Sequence, residues 1–422
     1  MKIAVLCPHF EPDVAPTGEV MTRIVNELAA RGHELHVITA LPWYKAHAIE
    51  PDWRGKLVRR ETTSWGQITR VHPFPQPDKR SIPKRALSFA GFTALSGIVG
   101  SFGGRVDVVL AMSPPLTLGL AGDLMSLCRR APLVFNIQDV FPDVAVELGA
   151  LKNERVIRAA QALERWCYRR SDAVTVLSDD LADNLRKKVS RQAGGPAKIR
   201  VIPNFVDTEL VRPMNRMTPY RVQLGIGEEP VVMYAGNIGF SQSLELVLSA
   251  AQTFLREGNP TTFLINGAGS ARTHFEEMAS SMKLTNVKFG DFQPRDRIAE
   301  VLATGDVHCV PLKAGLARSS VPSKSYSILA AARPMLASVD LGTEIERMAK
   351  QAGAGVSVPP DSPELFTAAL RDLVSAPLVR ARMGAAGRAY VERWASPAAV
   401  AEQYEHLFVE LVDRHQRRRP VE

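Results

Sequence analysis

Short apolar runs rich in branched residues recur along the chain, separated by longer stretches of helical periodicity. Runs that are apolar on both faces suit parallel strands covered by helices on both sides, and their alternation with helices is the sequence form of βα units. In the first half, strands are expected at 2–7, 34–40, 69–74, 106–111, 132–137, 173–177 and 199–203. The pattern lapses over 207–230, a polar stretch holding Pro213, Pro219 and Pro230 with Gly225 and Gly227, and an interdomain linker is expected there. It resumes with strands expected at 231–236, 261–266, 286–290, 306–310, 334–337 and 355–358. The expected fold class is α/β: two tandem doubly wound Rossmann-like domains, 1–206 and 231–396, facing a central cleft. A last helix, 397–415, precedes Arg417, Arg418 and Arg419, and its periodicity leaves open whether it packs back on the first domain. Open parallel sheets bind ligands beyond the carboxyl ends of their strands, so the chemistry is sought in the loops that follow them.

At 422 residues and 45% hydrophobic content the chain can bury a large core, and two domains are expected rather than one. Its four cysteines, Cys7, Cys128, Cys167 and Cys309, stand far apart with no C-x-x-C pair, which argues against a disulfide framework and a finger-type zinc site. The apolar run that opens the chain is too short for a secretory signal and reads as a buried first strand. A reducing, cytoplasmic setting is the expectation. The uncharged run 86–104 is nearly long enough to span a bilayer, but nine of its nineteen residues are Gly, Ser or Thr. A core or interfacial helix is expected instead.

The formal charge is +8, and one segment accounts for it. Between residues 53 and 105 ten basic residues, among them Arg59, Arg60, Lys84 and Arg85, face two acids, Glu61 and Asp78, while the rest of the chain balances. An anionic partner is expected on that stretch. It has neither an RNP-like run nor a helix-turn-helix pattern, so nucleic acid is not the expected partner. Trp53, Trp65, Phe74, Phe89 and Phe92 lie in the same segment and are of the type that settles at an interface. Lipid phosphate is therefore preferred, with peripheral association at the inner face of the cytoplasmic membrane. A solvated basic face without a partner is the alternative.

The loop after the first strand leads through Gly18 into a helix, where a glycine lets backbone N–H groups approach a phosphate. Neither the three-glycine dinucleotide fingerprint nor a P-loop is present. Asp139 follows the strand expected at 132–137 and so belongs to the cleft, where it can orient an acceptor hydroxyl. A capping aspartate in the turn before Pro142 is its plainer reading, and Asp143 shares the ambiguity. Glu11, Asp13 and Glu19 are acids of the first loop with possible access to acceptor hydroxyls. His33 and His36 flank a turn and a strand, H-E-x-x-H is absent, and no metal site is implied.

Several segments together resemble the retaining glycosyltransferases of family 4, which have the GT-B fold. They are the stretch 8–40, then Asp172-Ala173-Val174-Thr175-Val176-Leu177-Ser178 and Val201-Ile202-Pro203-Asn204, then Tyr234-Ala235-Gly236-Asn237-Ile238-Gly239, Asn266-Gly267-Ala268-Gly269 and Asn286-Val287-Lys288-Phe289-Gly290. The likeness covers nearly the whole chain and is greatest to the WbuB-like and colanic-acid-type subgroup of surface polysaccharide transferases. The residues that carry it are Ser113-Pro114-Pro115-Leu116, Gln138-Asp139-Val140-Phe141-Pro142-Asp143, Asn237-Ile238-Gly239-Phe240-Ser241-Gln242 and Pro322-Ser323-Lys324-Ser325-Tyr326.

The resemblance implies a donor site at Gly18, Asn237, Gly239, Gln242, Gly267, Ser323 and Ser327, and it also marks departures. The family's acidic pair, E-x7-E, falls on Ser319 and Ser327, and the basic residues that clasp the diphosphate fall near Asn237 and Gln242 or Ser243, all neutral. A serine still hydrogen-bonds a ribose hydroxyl, without the charge-assisted bond of a carboxylate. A departing diphosphate needs its charge stabilised, and Arg318 and Lys324 bracket the basic loop in the right place. With Asp139 they are the candidate catalytic residues; Lys324 as a surface residue at a helix start is the other reading.

Glu19, Arg59, Arg60, Lys84 and Arg85 are the acceptor-side candidates. The expectation is a retaining glycosyltransferase that moves a sugar from a nucleoside diphosphate sugar, UDP favoured, to a hydroxyl of a lipid-linked or other anionic glycan in cell-surface polysaccharide synthesis. Attack is expected on the face that the diphosphate leaves, with a phosphate oxygen taking the proton, and without cofactor or metal. A nucleotide-sugar 2-epimerase of the same fold and a non-catalytic nucleotide-sugar-binding or scaffold protein are the alternatives.

Overall fold

The computed structural model describes residues 1–13, 15–45, 47–75, 82–147, 151–190, 194–315 and 324–417. The chain divides into two compact units, Met1–Pro203 with Val400–Glu422, and Asn204–Ala399.

The first unit holds β1 (Lys2–Leu6), β2 (Glu34–Ala40), β3 (Val58–Thr63), β4 (Gly66–Val71), β5 (Val108–Ser113), β6 (Leu133–Ile137), β7 (Ala173–Val176) and β8 (Ile199–Val201). They form one sheet in the order β3-β4-β2-β1-β5-β6-β7-β8, parallel throughout except for β3 against β4. β1, β2, β5 and β6 are buried almost end to end, which is why their sequences are apolar without alternation. β3 is a strand that periodicity does not announce. Its sequence, Val58-Arg59-Arg60-Glu61-Thr62-Thr63, has one apolar residue, and it forms as the antiparallel edge, where polar side chains belong.

From Val400 onward the helix Pro397–Arg417 belongs to this unit. Tyr404 accepts a hydrogen bond from Asn136 Nδ2 at 2.8 Å, and Glu405 pairs with Arg31 at 2.6 Å and with His33 at 2.9 Å. His33 thus ties the end of the chain to its start.

The second unit holds six strands, β9 (Val231–Ala235), β10 (Thr262–Asn266), β11 (Val287–Gly290), β12 (Val307–Pro311), β13 (Met335–Ser338) and β14 (Gly355–Val358). All are parallel, in the order β11-β10-β9-β12-β13-β14. The stretch 207–230, expected as a linker, is part of this unit's body. Its helix Pro219–Gln223 buries Tyr220 and Arg221, and Arg221 donates to the carbonyl oxygens of Thr304 and Gly227 at 2.9 and 2.8 Å. The prolines and glycines there shape turns on a packed surface rather than a free joint.

In each sheet the winding reverses beside the first strand, between β1 and β5 and between β9 and β12. Loops part at such points, and ligands enter there. Among the described residues no helix is long and apolar enough to cross a membrane.

Candidate functional site

Beside the β9–β12 switch point the loops after β9 and β10 touch through their main chains. Gly236 follows β9 with φ +144° and Gly267 follows β10 with φ +143°. A Cβ on Gly267 would lie 1.9 Å from the Gly236 carbonyl oxygen, so no other residue fits. Ile238 N–H donates to the Ala268 carbonyl at 2.9 Å and Ala271 N–H to the Ile238 carbonyl at 3.0 Å, which fastens the contact. Gly267 N–H is itself taken by the Gly290 carbonyl at 2.9 Å. Gly267 therefore builds the floor of the loops, with no N–H left for a phosphate.

Lys324 opens the helix Lys324–Ala330 and reaches over this floor. Its Nζ donates to Gln242 Oε1 at 2.8 Å and to Tyr234 Oη at 3.0 Å, and lies 4.3 Å from the centroid of the Tyr234 ring. Tyr234 in turn donates to the Asn237 carbonyl, so the ammonium, the ring and the loop after β9 form one chain of contacts. None of these partners is an acid. Burial, with no carboxylate among these partners, brings the Lys324 pKa down to about 7. Ser327 follows three residues on, half-buried on the same helical face. Gly239 is buried, Gln242 half-buried and Asn237 exposed.

In the first unit the loops beyond β1, β2, β4, β5 and β6 surround a cavity of about 630 Å³. Trp43, Tyr44, Phe89, Phe92, Pro73, Pro114 and Pro115 make its walls, and His9 and Asp139 are polar groups on it. His9 Nδ1 is hydrogen-bonded to Asp13 Oδ2 at 2.7 Å, and its ring stacks on Trp43 at 5.6 Å and meets Tyr44 edge-on at 5.2 Å. The Asp13 side chain is wholly buried, and its other oxygen accepts from the Tyr44 and Trp43 N–H groups at 3.0 and 3.4 Å. A Cβ on Gly18 would lie 2.8 Å from His9 Cβ, so the helix Pro16–Ala30 closes on this loop only because a glycine is there. Asp139 is exposed at the cavity, and desolvation by the surrounding protein raises its pKa above the usual carboxylate range.

Residues 17–204 match the family described as Glycosyl transferase 4-like domain, and residues 217–390 match Glycosyl transferases group 1. The chain belongs to the GT-B glycosyltransferases of family 4 type. It is 29% identical over 420 residues to the colanic acid biosynthesis glycosyl transferase WcaI of Escherichia coli strain K12, covering 96% of this chain and 98% of that one. Its fold is that of sucrose-phosphate synthase from Thermosynechococcus elongatus, with a TM-score of 0.68 at 18% identity over 98% of this chain and 100% of that one. Anabaena HepE in complex with UDP-glucose superposes with a TM-score of 0.64 at 14% identity, over 97% of this chain and 100% of that one.

Within this glycosyltransferase the expected donor residues Asn237, Gly239, Gln242 and Ser327 gather with Lys324 at one switch point, above the floor that Gly267 provides. Arg318, Ser319 and Ser323 lie outside the described residues. Asp139 lies on the cavity of the first unit, and Gly18 packs beneath His9. Glu19 is exposed in the first turn of its helix. Arg59 and Arg60 stand on the edge strand β3 away from the cavity lining; Arg59 lies 4.1 Å over the Trp53 ring and 3.6 Å from Glu61, and Arg60 is exposed. Lys84 and Arg85 begin the helix Ile82–Ser101, with side chains outside the description.

Several expectations need correction. Asp13 does not face an acceptor; it is spent on His9 and two backbone N–H groups. Asp143 is held by Lys188 at 2.8 Å and Asn184 at 3.0 Å. The aromatics assigned to an interface turn inward: Phe89 and Phe92 line the cavity, Trp53 lies under Arg59 and Arg70, and Trp65 meets Phe10 at 6.4 Å. His9 escaped the sequence reading, and the four-residue spacing to Asp13 was the signal that could have found it. Among the described residues no group of three or more His, Cys, Asp or Glu is placed to hold a metal ion.

Proposed function

We propose that the protein is a retaining hexosyltransferase that takes a sugar from a nucleoside diphosphate sugar, UDP favoured, and delivers it to a hydroxyl of a lipid-linked or other anionic glycan in surface polysaccharide synthesis. The observation that carries this reading is Lys324, a half-buried ammonium held by the neutral groups Gln242 and Tyr234 beside the glycine loops at the strand ends. An ammonium kept out of water without a carboxylate has most of its charge left for a ligand. A diphosphate oxygen supplies the missing counter-charge, and as the glycosidic bond breaks the ammonium stabilises the charge that builds on the leaving group. Ser327 is set to take a ribose hydroxyl, and Asp139, in the apolar cavity of the first unit, to orient the acceptor hydroxyl. The names of WcaI, a colanic acid biosynthesis enzyme, and of HepE with UDP-glucose support the pathway and the donor.

Calorimetric titration of UDP and of GDP in EDTA tests the donor. One of them is expected to bind at micromolar strength, about −8 kcal/mol, and Lys324→Ala to weaken it at least tenfold. Absence of binding by both, with or without magnesium, would overturn the reading. NMR of the product from a UDP-sugar then reads the anomeric configuration, and an inverted product would refute retention.

A further inference from the structure

The helix Ile82–Ser101 carries no charged residue after Arg85. A helix apolar on all sides is ordinarily buried on all sides. This one is buried on one side only: Phe92 and Ser96 are packed away, whereas Leu87 is 70% exposed and Ile98 53% exposed, with Ala90 and Ala94 exposed between them.

Its neighbour, the helix Leu118–Arg129, repeats the anomaly. Leu120, Leu124 and Leu127, spaced as one stripe, are 39%, 41% and 59% exposed. The two charged residues of that helix are turned away from the stripe: Asp123 pairs with Arg170 at 2.9 Å, and Arg129 donates to the Gly100 and Phe102 carbonyls at 2.6 and 3.0 Å. A Cβ on Gly97 would lie 3.2 Å from Ala121 and 3.6 Å from Leu124 Cδ2, so the two stripes abut and form one face. The helix Glu154–Arg170 of the same unit shows the ordinary pattern, exposing Glu154, Arg155, Arg158, Arg165 and Arg169.

We propose that this two-helix face docks the protein on an anionic lipid bilayer. The choice of occupant comes from charge. The face is uncharged, but the chain on either side of it is basic: Lys84 and Arg85 start one helix, exposed Arg105 follows it, and exposed Arg130 ends the other. Apolar residues that enter the acyl boundary, flanked by cations that meet anionic headgroups, make an interfacial docking element. The inference deepens the lipid-linked side of the proposed function and is independent of the donor. The inward side of the helix Ile82–Ser101 places Ser88, Phe89 and Phe92 on the cavity. Docking side and cavity wall are thus two faces of one helix, which lets an acceptor whose lipid stays in the bilayer present its glycan to the cavity.

The test is flotation of the full chain with phosphatidylglycerol and with phosphatidylcholine vesicles, beside the variant Leu120→Asn with Leu124→Asn and Leu127→Asn. The wild-type chain is expected to float with phosphatidylglycerol, less so as salt rises, and the variant to lose partitioning about tenfold or more while binding UDP as before. Equal flotation of the variant would overturn the proposal, as would equal binding to both lipids. Sedimentation velocity covers the rival occupant: a wild-type dimer that the variant breaks, without vesicle binding, would mean that a second copy covers the face. A single-helix variant, Leu87→Asn with Ile98→Asn, should also lose flotation; if it floats unchanged while the first variant does not, the two-helix face is refuted.

Discussion

At the switch point of the second unit the closest approaches are between main chains, Gly267 against Gly236, and one long side chain, Lys324, reaches across them. At the switch point of the first unit the space is walled by rings and prolines from five loops and the helix Ile82–Ser101, with one buried acid, Asp13, fixing the histidine among them. The winding reverses beside the first strand in both units, and the chemistry there is opposite. On the proposed reading a diphosphate asks for a cation close to the main chain, which one lysine over the packed glycine loops would provide. An acceptor with an apolar part asks for a shaped cavity, which only many side chains together provide.

Four substitutions test that contrast, from the strongest effect to the weakest. Lys324→Met should lower turnover by about 10²-fold or more and raise the melting temperature of the unliganded protein, because a desolvated ammonium gives way to an apolar chain. A fall in melting temperature would mean that Gln242 and Tyr234 fully replace the water the ammonium has lost. Gly267→Ala should destabilise the second unit by about 2–4 kcal/mol in denaturant, since backbone cannot yield as a side chain does. His9→Ala should raise the acceptor KM about tenfold and leave UDP affinity alone; a change in UDP affinity would break the division of labour between the units. Ser327→Ala should weaken donor binding by about 1 kcal/mol, roughly fivefold.

The same contrast explains what could be read in advance. Strands β1, β2, β5 and β6 announce themselves because burial on both faces forces apolar runs, and β3 does not because an edge strand is free to be polar. Gln242 and Lys324 could be singled out because loops next to glycines keep short sequence marks, and the structure brings the two together in a hydrogen bond that was not foreseen. The cavity joins residues as far apart as His9, Trp43, Phe92 and Asp139, and no local pattern links them. Phe89 and Phe92 were placed on the surface because composition gives residue type without direction, and the exposed leucines of the helix Leu118–Arg129 went unnoticed for the same reason.

The central claim is that a nucleoside diphosphate sugar supplies the counter-charge that Lys324 lacks. Its pKa of about 7 in the unliganded protein must then rise on binding, so the complex holds a proton that the free protein has lost above that pH. Donor affinity should be level below pH 7 and fall as pH rises beyond it. The direct measurement is calorimetric binding of the UDP-sugar at pH 8 in two buffers of different ionisation heat. Uptake of about one proton by the wild-type protein, and of none by Lys324→Met, is the predicted result. Binding without proton uptake in the wild type would place the diphosphate elsewhere and contradict the account.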